Sequence, residues 1–87
     1  MKYKIDKVTR TSHASDRLNE RGISWDEVQE VVMAPDMTWE DQRNGSIVCE
    51  GRGNTGGRLA VCLVNPPKNG RAIVKTAYRR EDGDGQP

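Results

Sequence analysis

Thr11-Ser12-His13-Ala14-Ser15-Asp16-Arg17-Leu18-Asn19-Glu20-Arg21-Gly22-Ile23-Ser24-Trp25-Asp26-Glu27-Val28 carries two helix starts and one helix stop. Thr11 or Ser12 can cap a helix, because a hydroxyl accepts an orphaned amide proton of the first turn. That helix runs from about His13 to Arg21, with Ala14 and Leu18 as a short apolar stripe. Gly22 follows, at the position where a left-handed conformation ends a helix. Ser24 and Glu27 have the spacing of a capping box, and Ile23 with Val28 that of a hydrophobic staple. Val28, Val31 and Val32 supply the buried face of a second helix, and Pro35 stops it. The segment is therefore a helical hairpin.

On either side of the hairpin the period changes from helical to alternating. Tyr3 to Thr9 alternates apolar and polar residues, the pattern of a half-buried strand. Met37 and Trp39 begin another strand, a turn follows at Asn44-Gly45, and Ser46 to Glu50 forms the next strand. Gly51 to Gly57 reads as a glycine-rich hairpin loop. Leu59 to Val64 is continuously apolar, which predicts a central strand covered on both faces. Asn65 to Gly70 is a turn and Ala72 to Tyr78 the last strand. The order β-α-α-β-β-β-β predicts an α+β fold. Its N-terminal strand and helical hairpin pack on a four- to five-stranded antiparallel sheet. Residues 1–80 are expected to form one domain and residues 81–87 a flexible tail rich in Gly and Asp.

A chain of 87 residues buries roughly 60–65% of its unfolded surface, so its stability margin is thin. Hydrophobic residues make up 33% and phenylalanine is absent, so the core falls to Val, Ile, Leu and Ala, helped by Trp25, Trp39, Tyr3 and Tyr78. A net charge of +1 does not by itself select a nucleic-acid partner. Its distribution is uneven: Lys2, Lys4, Lys7 and Arg10 at the start, Lys75, Arg79 and Arg80 at the end, and acids from Asp26 to Asp41 between them. A basic face built from the two ends is one expectation. Cys49 and Cys62 fall in apolar runs and read as buried free thiols. One histidine and two separated cysteines lack the ligand spacing of a zinc site, so neither metal nor cofactor is expected. The sequence shows no signal peptide, transmembrane run or lipidation motif, which makes the cytoplasm the default location, with no membrane partner.

The residues with chemistry to offer lie on the first helix and the last strand. His13, Arg17 and Arg21 recur every four residues, so they lie near one helical face. Guanidinium groups bind phosphate oxygens and an imidazole moves protons near neutral pH, a combination suited to a phosphodiester. The plainer reading is a solvated face in which Arg17 pairs with Glu20 or Asp16. Thr76, Tyr78 and Arg80 alternate on the last strand and share one side of it, with Arg79 on the other unless a bulge intervenes. They can complete a phosphate site; the plainer reading packs Thr76 and Tyr78 beneath the helices, with the Tyr78 hydroxyl at the rim. Arg52 and Arg58, at the ends of the glycine loop, are placed to touch a nucleic-acid backbone. Trp25 and Trp39 can offer stacking surfaces for bases, but packing against the sheet edge is the plainer reading of both.

His13-Ala14, Arg17, Glu20-Arg21-Gly22-Ile23, then a helix ending at Pro35, then Thr76 and Tyr78 on a closing strand resemble the bacterial domain-of-unknown-function family 4258. The resemblance covers about Thr11 to Arg80. It implies kinship with small ribonuclease toxins that share the fold of barnase and the RelE-like toxins. It further implies metal-independent RNA cleavage with the helix-start histidine in the site.

The expectation that follows is a small endoribonuclease of the toxin type. In it the ribose 2′-hydroxyl attacks the adjacent phosphorus. His13 acts as general acid or base, and Arg17 and Arg21 neutralise charge on the phosphoryl oxygens. Tyr78 or Thr76 orients the phosphate, and Arg80 and Arg52 assist in binding. RNA is then the substrate, and an antitoxin or immunity protein the neutralising partner. The alternative is a non-catalytic nucleic-acid- or protein-binding regulatory module, such as a phage or mobile-element protein, because the chain holds no second histidine. A third expectation is a scaffold in which His13 only braces the first helix.

Overall fold

Thr11 ends the first strand and begins the first helix. Its amide still reaches the Val74 carbonyl at 3.5 Å, while its Oγ1 accepts from the Ala14 amide at 3.0 Å. The computed structural model describes residues 5–53 and 57–80. Within them β1 spans Lys7–Arg10, α1 Ser12–Arg21, α2 Trp25–Met33, β2 Met37–Glu40, β3 Ile47–Arg52, β4 Arg58–Leu63 and β5 Arg71–Arg80. The strand expected from Tyr3 begins at Lys7; Tyr3 and Lys4, the middle of the glycine loop (54–56) and the tail (81–87) lie outside the described residues.

The helical hairpin forms as its caps dictate. Gly22 adopts φ 65° and its amide bonds the Asn19 carbonyl, while the Ile23 amide reaches back to Leu18. Both bonds satisfy carbonyls that the end of α1 leaves open, and the positive φ is where glycine alone has no Cβ penalty. Ser24 Oγ accepts from the Glu27 amide at 3.2 Å and starts α2. Pro35 bars Ala34 from helical geometry, and α2 stops one residue earlier.

The fold is α+β, with both helices on one side of a five-stranded sheet in the order β1-β5-β4-β3-β2. Strands β2 to β5 are antiparallel to their neighbours, but β1 runs parallel to β5, with Lys7 opposite Arg71 and Arg10 opposite Val74. A fully antiparallel sheet is thus corrected at one edge. No tight turn links β1 to β5, so nothing imposes the reversal that hairpins impose elsewhere. The core lies between helices and sheet: Ala14, Leu18, Val28, Val31 and Val32 against Ile47, Cys49, Leu59, Val61, Leu63, Ala72, Val74 and Ala77.

One irregularity in β5 decides what the other side of the sheet displays. Cys62 pairs with Thr76, but Leu63 pairs with Val74, so Lys75 is an extra residue in a β-bulge. Val74 and Ala77 are three apart and both enter the core. In an unbroken strand Thr76 and Tyr78 would follow Val74 onto the helix side. The bulge instead turns Thr76, Tyr78 and Arg80 onto the helix-free face and sends Arg79 under the helices.

Candidate functional site

The chemistry-bearing stripe of α1 runs along the rim of the sheet. Arg17 Nε donates to His13 Nε2 at 3.3 Å, and Arg17 Nη1 lies 3.5 Å from Glu20 Oε1. His13 is exposed, and the plainer pairing of Arg17 with Glu20 coexists with its contact to the imidazole. Arg21, in the last turn, reaches the strand: Nη1 donates to the Ala77 carbonyl at 2.7 Å and to Thr76 Oγ1 at 3.2 Å. That carbonyl is available because β1 pairs with β5 only from Arg71 to Val74. A cation at a helix C-terminus is also favoured by the helix dipole.

The helix-free face is organised in cross-strand rows. Thr76 pairs with Cys62, and Val48 with Cys62 and Trp39. Tyr78 pairs with Ala60, and Glu50 with Ala60 and Met37. Arg80, Arg58 and Arg52 form the third row. Packing of Thr76 and Tyr78 beneath the helices is therefore corrected: both lie on the opposite face, half-buried. Val48 and Ala60 are fully buried on this face although no helix covers it.

A single carboxylate orders the arginines. Glu50 is only 6% exposed, and its Oε2 accepts from Arg58 Nε at 2.8 Å. Arg58 Nη1 also donates to Asp36 Oδ2 at 3.0 Å. Hydrogen bonds to Glu50 and then Asp36 raise the Arg58 pKa above its ordinary value. Arg80 Nε stands 3.7 Å from Glu50 Oε1, beyond hydrogen-bond reach, and its guanidinium carbon lies 5.6 Å from the Trp39 ring centre. Lys75 Nζ donates to Ser46 Oγ at 2.7 Å across the same face. Burial raises the pKa of the half-buried Cys62 thiol and pushes Cys49, sealed in the core, up to about 11. Cys62 is thus more open than expected.

Among the described residues the basic face expected from the two chain ends does not form; Lys2 and Lys4 lie outside them. Arg10 covers the Trp25 ring at 4.5 Å, and Arg79 turns to the other side, where it forks onto the buried Glu27 at 2.6 and 2.8 Å. Trp25 packs against the core, so of the two tryptophans Trp39 is the one on the arginine-bearing face. The structure brings His13 to Arg17, and Arg21 to Thr76, with Tyr78 and Arg80 following Thr76 along the same face. Arg52 stands opposite Arg58 at the far end of that face.

Sequence reading passed over Glu50, Lys75 and the Arg79–Glu27 pair. Glu50 carried one signal: a lone acid in an apolar strand, with Arg58 beyond a glycine loop that folds them side by side. The shallow hollow lined by Asp26, Gln29, Glu30 and Met33 on α2 is acidic and unsuited to a polyanion. Among the described residues, no group of three His, Cys, Asp or Glu side chains is placed to hold a metal ion, and no helix is long and apolar enough to cross a membrane.

These features define a small α+β domain whose helix-free sheet face is aromatic and rich in arginine. The chain belongs to the family described as Domain of unknown function (DUF4258), which it matches over residues 10–79. No curated protein and no solved structure matches it.

Proposed function

We propose that the protein is a small endoribonuclease of the toxin type, kin to the barnase and RelE-like toxins, that cleaves RNA through its own 2′-hydroxyl. The observation that carries this reading is the Arg21 bridge to Thr76 and Ala77. It fastens the helix bearing His13 and Arg17 to the rim of the face that displays Tyr78 and Arg80. In the reaction His13 Nε2, released from Arg17 Nε, takes the proton of the 2′-hydroxyl, whose oxygen attacks phosphorus. The bond to the 5′-oxygen breaks, solvent protonates that oxygen, and a cyclic phosphate remains. Arg17 and Arg21 offset the charge that builds on the phosphoryl oxygens, while Thr76 and Tyr78 orient the phosphate. A neutralising antitoxin or immunity protein would act by covering this face.

The test is incubation of the purified chain with RNA in chelator, beside His13→Ala. Cleavage by the first and loss of it in the second supports the reading. Equal cleavage by both removes His13 from the reaction. One observation favours a second reading, a non-catalytic nucleic-acid- or protein-binding regulatory module. Among the described residues the hydrogen-bonding partner of the His13 ring is Arg17, which stays protonated at neutral pH and neither gives up nor accepts a proton. Growth arrest on expression separates the two, since a binding module leaves RNA intact.

A further inference from the structure

We propose that Trp39 and Arg80 form a base-stacking subsite for single-stranded RNA. The inference rests on the RNA reading above and deepens it, joining Trp39 and Arg80 into one subsite for a base.

The starting point is the pairing of Arg80 with Arg58 and of Arg58 with Arg52 in one row. Like charges opposite one another on antiparallel strands cost stability. Glu50 and Asp36 offset this for Arg58, which they hold by two hydrogen bonds. Arg80 is held less firmly. It stands 3.7 Å from Glu50, and its side chain is 45% exposed. Its planar guanidinium lies instead over Trp39, which is half-buried on edge strand β2. Indole and guanidinium planes are the two surfaces on which unpaired bases stack, and neither demands a particular base. Bases in a duplex are stacked on one another and do not expose the ring face that this pair would engage. A single strand would lay a base on the Trp39–Arg80 layer and a phosphate against the exposed edge of the Arg80 guanidinium. The acidic α2 surface offers no comparable place.

The experiment measures binding of a short, labelled 2′-O-methyl RNA, in which the blocked 2′-oxygen prevents cleavage. Wild-type chain is expected to bind it at low salt. Trp39→Ala should weaken binding roughly 5- to 150-fold, the range of one lost base stack. Arg80→Ala should weaken it similarly, and Arg80→Lys should recover only part, because an ammonium lacks the stacking plane. Arg80 is exposed, so its variants test the subsite even where Trp39→Ala loosens the sheet. Unchanged affinity in the folded Arg80→Ala and Trp39→Ala variants overturns the subsite and leaves the RNA reading standing. Failure of wild type to bind any oligonucleotide overturns both. Dimerisation of the chain that Trp39→Ala abolishes, without RNA binding, overturns the subsite in favour of a second copy as occupant.

Discussion

Arg21 closes the edge of β5 where β1 stops, its Nη1 donating 2.7 Å to the Ala77 carbonyl and 3.2 Å to Thr76 Oγ1. The contact joins residues more than fifty positions apart and makes a side chain stand in for a strand. Arg21→Ala leaves that carbonyl to water at a half-open edge. The expected cost is about 1–2 kcal/mol in urea denaturation, near the low end for a charged hydrogen bond because the groups are partly exposed. On the proposed ribonuclease reading, RNA cleavage should fall by more than the loss of folded protein accounts for, since α1 would no longer be held to Thr76. Cleavage unchanged in a folded Arg21→Ala variant would detach the α1 stripe from the reaction.

The buried Glu27 carboxylate makes a second sharp prediction. It is 1% exposed and takes both terminal nitrogens of Arg79. A Cβ built on Gly53 would overlap its Oε2. Gly53→Ala must therefore push Glu27 off Arg79, at an expected cost of about 3 kcal/mol, as for a disrupted buried ion pair. Arg79→Ala should cost roughly 2–3 kcal/mol, discounted because the arginine is itself partly exposed. In a Glu27→Ala background the obstructing atoms are gone, and Gly53→Ala should cost little more. Additive losses in that double-mutant cycle would mean that the two residues do not meet.

The same residues show what the sequence made legible. The helical hairpin was readable because its signals are local: Thr11, Gly22, Ser24 and Pro35 each act within one turn of themselves. The four antiparallel strands were readable from hairpin turns and apolar runs. The direction of β1 was not, because its partner β5 lies about sixty residues away and no turn encodes the pairing. The face taken by Thr76 and Tyr78 was half readable. Their alternation was plain, but the single bulged residue that decides which side they occupy leaves no local signature at Lys75. His13 and Arg17 were placed together by helix geometry alone, whereas the Arg80–Trp39 contact spans four strands and needed the assembled sheet.

Alkaline pH should destabilise the protein through its thiols. Burial raises the Cys49 pKa from 9.0 to about 11, so the folded chain keeps a proton that the unfolded chain loses first. The contribution is fully present below pH 9.0 and is lost as pH climbs toward about 11. The shift corresponds to about 2–3 kcal/mol. Cys62, raised by burial as well, adds in the same direction. Denaturation midpoints measured across this window should fall, and fall less in Cys49→Val. An identical decline in that variant would place the alkaline sensitivity elsewhere.

Deleting Lys75 tests the bulge on which the whole helix-free face depends. Without the extra residue, a one-residue slip moves every later side chain of β5 to the other side of the sheet. Thr76, Tyr78 and Arg80 would turn into the core, and Ala77 and Arg79 would turn out, stripping Arg79 from the buried Glu27. A charge forced into the core and a buried carboxylate stripped of its arginine each cost several kcal/mol in a domain with little to spare. The deletion is expected to leave the chain unfolded in circular dichroism. Lys75→Ala keeps the residue count and loses only the 2.7 Å bond to Ser46, so it should fold and cost about 1 kcal/mol. A stable, native-like deletion variant would show that Lys75 is not the residue that sets the register of β5.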